Sequence, residues 1–165
     1  MELPCTLIGC SGMALVRFIG NLFPRLRSVF SRSPRIGENA NQWLGREGER
    51  LARRYLRGQG YKILYANYRA PHGGEVDLVC REKATSTLVF TEVKTRRSLE
   101  YGAPSEAVNR EKQRLISRGA LAWLRLLDHP DIYFRFDIVE VVFEHEEPTF
   151  NLIKNAFTLP SPYLY

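Results

Sequence analysis

Apolar residues recur at helical spacing from Asn39 to Arg57, where Leu44, Leu51, Ala52, Tyr55 and Leu56 share one side and Gly58 and Gly60 close the run. The pattern predicts an amphipathic first helix. The period then changes. Three runs with strand character follow, Tyr61–Tyr68, Glu75–Arg81 and Thr87–Lys94, separated by Ala70-Pro71-His72-Gly73-Gly74 and by the polar stretch Glu82–Ser86. Links this short favour antiparallel neighbours. After Gly102-Ala103-Pro104, the segment Ser105–Leu127 returns to helical spacing, with Val108, Leu115, Ile116, Ala120 and Leu124 near one side. Ile132–Phe143 then reads as a strand, alternating around Phe136, Ile138, Val141 and Phe143. The predicted order is α-β-β-β-α-β, an α/β class in which a mixed central sheet is flanked by helices. The aromatics Trp43, Tyr55, Tyr68, Phe90, Trp123 and Phe136 fall at positions compatible with a core.

Length and composition bound this picture. The chain has 165 residues, 44% hydrophobic and 25% charged, which is room for one domain of roughly 100–150 residues. Ser31-Arg32-Ser33-Pro34-Arg35-Ile36-Gly37 reads as a linker. The expected organisation is a basic, poorly ordered extension over 1–37, a domain over 38–147, and a peripheral tail over 148–165. The net charge of +6 is unevenly spread: residues 1–37 carry +4, 38–127 carry +7, and 128–165 carry −5. A polyanionic partner would therefore find its phosphate contacts in the middle of the chain.

Three cysteines, Cys5, Cys10 and Cys80, are odd in number and lack metal-ligand spacing, so neither a disulfide framework nor structural zinc is expected, and a reducing cytoplasm is the default. No window offers about 20 uninterrupted apolar residues, so no integral membrane association is expected. Residues 13–30 mix Leu15, Phe18, Leu22 and Phe30 with Arg17, Arg25 and Arg27, as an interfacial helix would. A poorly ordered extension is the favoured reading of them, with Met13 as the true start.

Strand alternation brings candidate chemistry together. Glu75 and Asp77 share one face of their strand, and Glu92 and Lys94 share one face of the next. If the two strands are hairpin neighbours, Asp77 and Glu92 converge, with Lys94 a step further along. Carboxylate oxygens suit Mg²⁺ or Mn²⁺, which keep positions for water and a phosphate oxygen. A lysine ammonium beside them would neutralise a phosphate or orient the attacking water. Asp, Glu and Lys also alternate on ordinary solvated strands. Here, however, they interrupt the apolar runs Val76–Cys80 and Leu88–Phe90, and ionised groups beside buried strands need a partner.

Asp77 followed by Glu92-Val93-Lys94 resembles the PD-(D/E)XK nuclease superfamily, which includes restriction endonucleases and archaeal Holliday-junction resolvases. The longer string is similar to the bacterial YraN family of predicted endonucleases. It comprises Gly45 to Leu56, Gly60-Tyr61-Lys62-Ile63-Leu64, Asn67-Tyr68-Arg69, Gly74 to Val79, Phe90 to Arg96 and Arg135-Phe136-Asp137. The likeness covers about residues 44–142. It implies a restriction-endonuclease-like core and a metal-dependent endonuclease acting on DNA, on branched or structured forms in particular. Asp77 and Glu92 would be metal ligands and Lys94 the catalytic lysine, with Glu49 as an extra acidic residue. A surface pair of Glu49 with Arg53 is the alternative. Glu75 is a candidate ligand or a partner of one. Arg96, Arg97, Arg69, Lys112 and Gln113 are candidate nucleic-acid contacts, although Lys112 and Gln113 taken singly read as a solvated helix face. Arg135 and Asp137 read as a structural ion pair, and His72 as a solvated loop residue. A homodimer fits resolvase-like chemistry. Two other readings compete with the endonuclease: a nucleic-acid-binding module that keeps the fold without the chemistry, and a membrane-peripheral adaptor resting on residues 13–30.

Overall fold

The computed structural model describes residues 35–97, 108–144 and 147–159. The expectations for the N-terminal extension fall almost wholly outside these, as do Cys5, Cys10 and residues 13–30. The elements run α1 (Ala40–Gly58), β1 (Tyr61–Arg69), β2 (Glu75–Glu82), β3 (Leu88–Arg96), α2 (Arg110–Leu126), β4 (Phe134–Val142) and β5 (Thr149–Phe157). Among the described residues no helix is long and apolar enough to cross a membrane.

Local chemistry sets the helix starts. The Asn39 side chain accepts from the Gln42 backbone N–H while the Gln42 side chain accepts from Asn39 N–H, a reciprocal cap. The second helix begins later than its apolar pattern does. The Asn109 side chain accepts from Lys112 N–H at 2.9 Å, so Arg110 is the first helical residue, and Val108 is buried in the core from outside the helix. The predicted start at Ser105 overran this cap.

The sheet runs in the order β1-β2-β3-β4-β5. Its first three strands are antiparallel, as their short links require, and α2 crosses over to make β4 parallel to β3. The result is a mixed sheet with one helix on each face. The stretch expected to be a peripheral tail instead supplies β5, antiparallel to β4 from Val142↔Thr149 to Phe136↔Phe157. Its pattern was hard to read because its apolar side chains serve both faces, Phe150 and Leu152 on one and Ile153 and Phe157 on the other, so no single apolar face marks it as a strand; Asn155, at φ +52, sits where its register against β4 shifts.

Leu51, Ala52 and Leu56 of α1 pack on Leu78, Cys80, Val89, Val139 and Val141. On the other face Ile116, Ala120 and Leu124 of α2 pack on Val76, Val79, Phe90, Phe136 and Ile138. The second contact is unusually close where β2 begins. A Cβ on Gly74, whose φ is +144, would lie 2.6 Å from the Gly119 backbone nitrogen, and one on Gly119 would lie 3.0 Å from Glu75 backbone atoms. Two glycines face to face let α2 rest on the start of β2.

At the opposite end of the sheet Arg135 closes a polar cluster. It donates to Asp137 Oδ1 at 2.9 Å, Glu82 Oε2 at 2.8 Å and Tyr61 Oη at 2.9 Å, while Lys154 donates to Glu82 Oε1 at 2.7 Å. Asn155 N–H completes Asp137 at 2.9 Å, so β5 holds this cluster as well as the sheet edge.

Two measurements follow from this packing. Gly74→Ala adds a methyl against backbone and forces an L side chain into a positive-φ conformation. Backbone strain costs about 1–3 kcal/mol and overpacking a similar amount, so urea unfolding is expected to show a loss of about 2 kcal/mol or more. The second concerns acid. Hydrogen bonds from Arg135, then Lys154, hold the Glu82 carboxyl down at about 2 against an ordinary 4.5. A lowered folded pKa gives stability that is complete above the unfolded value and is lost as pH falls through the folded one. Between about pH 4.5 and 2 the wild type should lose stability more steeply than Glu82→Gln, as read by thermal melts across that window.

Candidate active site

The site grows from a break in the sheet. Strands β2 and β3 pair only from Arg81↔Leu88 to Leu78↔Thr91. Beyond that point β2 stays with β1 as far as Arg69↔Glu75, and β3 stays with β4 as far as Arg96↔Val142. Asp77 is the first residue past the parting. Its Oδ2 accepts the Val93 backbone N–H at 2.8 Å, a side chain serving where a ladder carbonyl no longer reaches. The antiparallel register, continued by one step, sets Asp77 opposite Glu92.

Glu92 is 3% exposed. Its Oε1 lies 3.1 Å from Lys94 Nζ and 3.3 Å from Lys112 Nζ, while its Oε2 is buried with no hydrogen-bond partner among the described residues. Burial, and after it the charge of Asp77, pushes the Glu92 carboxyl up to about 7, with Lys112 and Lys94 pulling the other way. The Lys112 ammonium also donates to Glu75 Oε1, and this contact holds Glu75 below the ordinary carboxylate range. Burial works to lower the Lys112 pKa. Its bond to Glu75 and the charges of Glu92 and Asp77 outweigh that, leaving it raised.

Glu49 approaches from α1. With Asn67, Arg69, Glu75 and Asp77 it lines a cavity of about 350 Å³. Burial lifts its carboxyl above the ordinary range and the charge of Asp77 adds to the lift, while a hydrogen bond with Asn67 and the charge of Arg53 oppose it. The parting of β2 from β3 thus lets groups from both helical layers meet, Glu49 on one side and Lys112 on the other.

Of the residues singled out from the sequence, Glu49, Glu75, Asp77, Glu92, Lys94 and Lys112 gather here, and Arg69 stands on the cavity wall. Lys112 is therefore no solvated helix residue. Gln113 stays out, because its Nε2 donates to the Val108 carbonyl at 3.0 Å and closes the helix start. Arg96 lies 3.7 Å from Glu140, and Arg97 donates to Asn41 Oδ1 at 3.3 Å. The sequence reading gave no role to two residues. Asn67 holds Glu49 from a left-handed backbone at φ +56, and its signal was an asparagine inside a strand, a type enriched at positive φ. Glu140 is 4% exposed and in register with Lys94, where it accepts from Asn151 Nδ2 at 3.0 Å. An acid interrupting the apolar β4 run was its signal.

Among the described residues no three His, Cys, Asp or Glu side chains form a ready-made metal set. The donor chemistry nevertheless fits a hard divalent ion. Mg²⁺ needs only one or two carboxylates and fills the rest of its shell with water and phosphate oxygens, and Glu92 Oε2 is a buried carboxyl oxygen with no partner among the described residues. Asp77→Asn keeps the acceptor for Val93 N–H and removes the charge. Glu92 should then titrate below its wild-type value near 7, which a carboxyl-labelled NMR titration would read directly. An unchanged Glu92 pKa would mean the two carboxylates do not interact.

The family model described as "Uncharacterised protein family UPF0102" matches residues 48–141. A UPF0102 protein of Trichlorobacter lovleyi is 46% identical over 127 residues, covering 76% of this chain and 98% of the relative. Another, from Geobacter metallireducens, is 46% identical over 119 residues, covering 72% and 95%. A solved structure, that of Pyrococcus furiosus SfsA in complex with Ca²⁺, overlaps 69% of this chain and 62% of its own at 13% identity with a TM-score of 0.29, too loose a match to carry an argument.

Proposed function

The chain belongs to the uncharacterised protein family UPF0102, and we propose that it is a metal-dependent phosphodiester hydrolase acting on nucleic acid. The observation that carries this reading is Glu92: a buried carboxylate with one unanswered oxygen, opposite Asp77 and hydrogen-bonded to Lys94. In this reading Asp77 and Glu92 hold Mg²⁺ or Mn²⁺, with Glu75 as a further carboxylate that Lys112 now engages. The ion, when bound, would acidify a water and offset charge on the phosphate. Lys94 presents its remaining donors to a phosphate oxygen. Lys112 keeps Glu75 ionised and pulls Glu92 toward its ionised form. Glu49, whose carboxyl is lifted by burial, is suited to hold a proton at the cavity rim.

The motif likeness to the YraN family of predicted endonucleases and to PD-(D/E)XK enzymes supports DNA as the substrate class, with a cytoplasmic setting and a homodimer as accompanying expectations. A second reading, a binding module without chemistry, draws on Lys112, whose ammonium already contacts two of the carboxylates, and on the lack of a three-carboxylate set among the described residues.

Purified full-length protein incubated with supercoiled, branched and single-stranded DNA and Mn²⁺ or Mg²⁺ separates the two. Cleavage that EDTA abolishes, and that falls about 100-fold or more in Lys94→Ala and in Glu92→Gln, is the expected result. Wild-type protein that cuts none of the substrates, yet binds them identically with EDTA and with Glu92→Gln, would select the binding module.

A further inference from the structure

Helix α2 carries chemistry on its outer side that the site does not use. Arg110, Arg114, Arg118 and Arg125 are all exposed. At about 100° per residue they fall within about 80° of one another around the helix axis, and at 1.5 Å per residue they span about 22 Å along it. None of the four has an ion pair among the described residues. The one acid on that face is Glu111. Like charges at i and i+4, as at Arg110/Arg114 and Arg114/Arg118, work against a helix, so the row lacks the anion that would answer it. Beside its far half, His72 of the β1–β2 loop joins Arg118, Leu121 and Arg125 in lining a cleft of about 220 Å³. Lys112, which reaches Glu75 and Glu92, lies on the same helix but about 120–160° round its axis from the four arginines.

We propose that this arginine row is a track for the sugar–phosphate backbone of a nucleic-acid duplex, laid along the outer side of α2. Guanidinium groups clamp phosphate oxygens through paired donors and carry no sequence information when they do. Single-strand binders add aromatic platforms on which bases stack, and the row contains none: Trp123, the aromatic of α2, packs against Tyr65 and Tyr68 over β1 instead. Duplex binding by this row does not rest on the hydrolase reading.

The test is binding of the full chain to a fluorescent 30-base-pair duplex in EDTA, measured by anisotropy at several salt concentrations, with DNA and RNA duplexes and a single strand of equal length as separate arms. Each phosphate neutralised contributes about 0.9 to the slope of log K against log salt. Arg114→Gln with Arg118→Gln is expected to reduce that slope by about 2. Arg54→Gln with Arg57→Gln, exposed on α1 across the sheet, makes the same charge change and should reduce it by less than half as much. Equal effects from the two pairs, no effect from the α2 pair, tighter binding to the single strand, or no binding by the wild type would each overturn the track. The two proposals fail separately: duplex binding that behaves as expected without any cleavage removes only the hydrolase reading, and cleavage with an unaltered slope removes only the track.

Discussion

A carboxylate buried beside a second carboxylate must be answered by a proton or by positive charge, and the site is organised around that requirement at Glu92. Burial and the charge of Asp77 push the Glu92 carboxyl up to about 7, so they oppose ionisation there more than the two lysines favour it. Two lysines supply part of the answer through one oxygen of Glu92, and the other oxygen has no partner among the described residues. Near neutrality the group is therefore balanced between protonation states, which is where an acid–base or metal-binding carboxyl is most responsive.

The fold supplies the pieces through backbone geometry. Antiparallel pairing would bring Asp77 and Glu92 to the same height on adjacent strands, and full pairing would press them together. The strands part there instead, and the Asp77 carboxylate takes the Val93 N–H that the parting leaves free. On one side Gly74 and Gly119 let α2 rest on the start of β2, and from this helix Lys112 reaches Glu75 and Glu92. On the other side α1 lies against β3, where a Cβ on Gly48 would meet the Thr95 side chain, and the next residue is Glu49.

Whatever depended on period was legible in the sequence. Alternation placed Glu92 beside Lys94, short links gave the antiparallel β1-β2-β3 meander, and helical spacing found both helices. The reading lost ground where local chemistry overrides period. Asn109 caps α2 several residues after the apolar pattern begins, Asn67 turns left-handed inside a strand, and β5 turns apolar side chains to both faces so that neither reads as a stripe. Lys112 was legible as a residue but not as a contact, because its partners lie 37 and 20 positions back along the chain and meet it only through the crossover.

The sheet buries acid in two places, and the contrast between them separates structure from chemistry. At one end Asp137 and Glu82 are met by Arg135, Tyr61, Lys154 and the Asn155 amide, and Glu82 titrates far below its ordinary range. That cluster is closed: its charges are paired, and it has nothing left to offer a ligand. Glu47, also buried with one free oxygen, is tied through the other to Arg50 of its own helix. At the parting of β2 and β3 the balance is the reverse, since Glu92 is raised, Glu49 is raised, and the cavity beside them is lined by carboxylates. One end of the sheet thus answers its buried acids with paired charge, while at the other, among the described residues, two lysines offset the burial of Glu92 only in part.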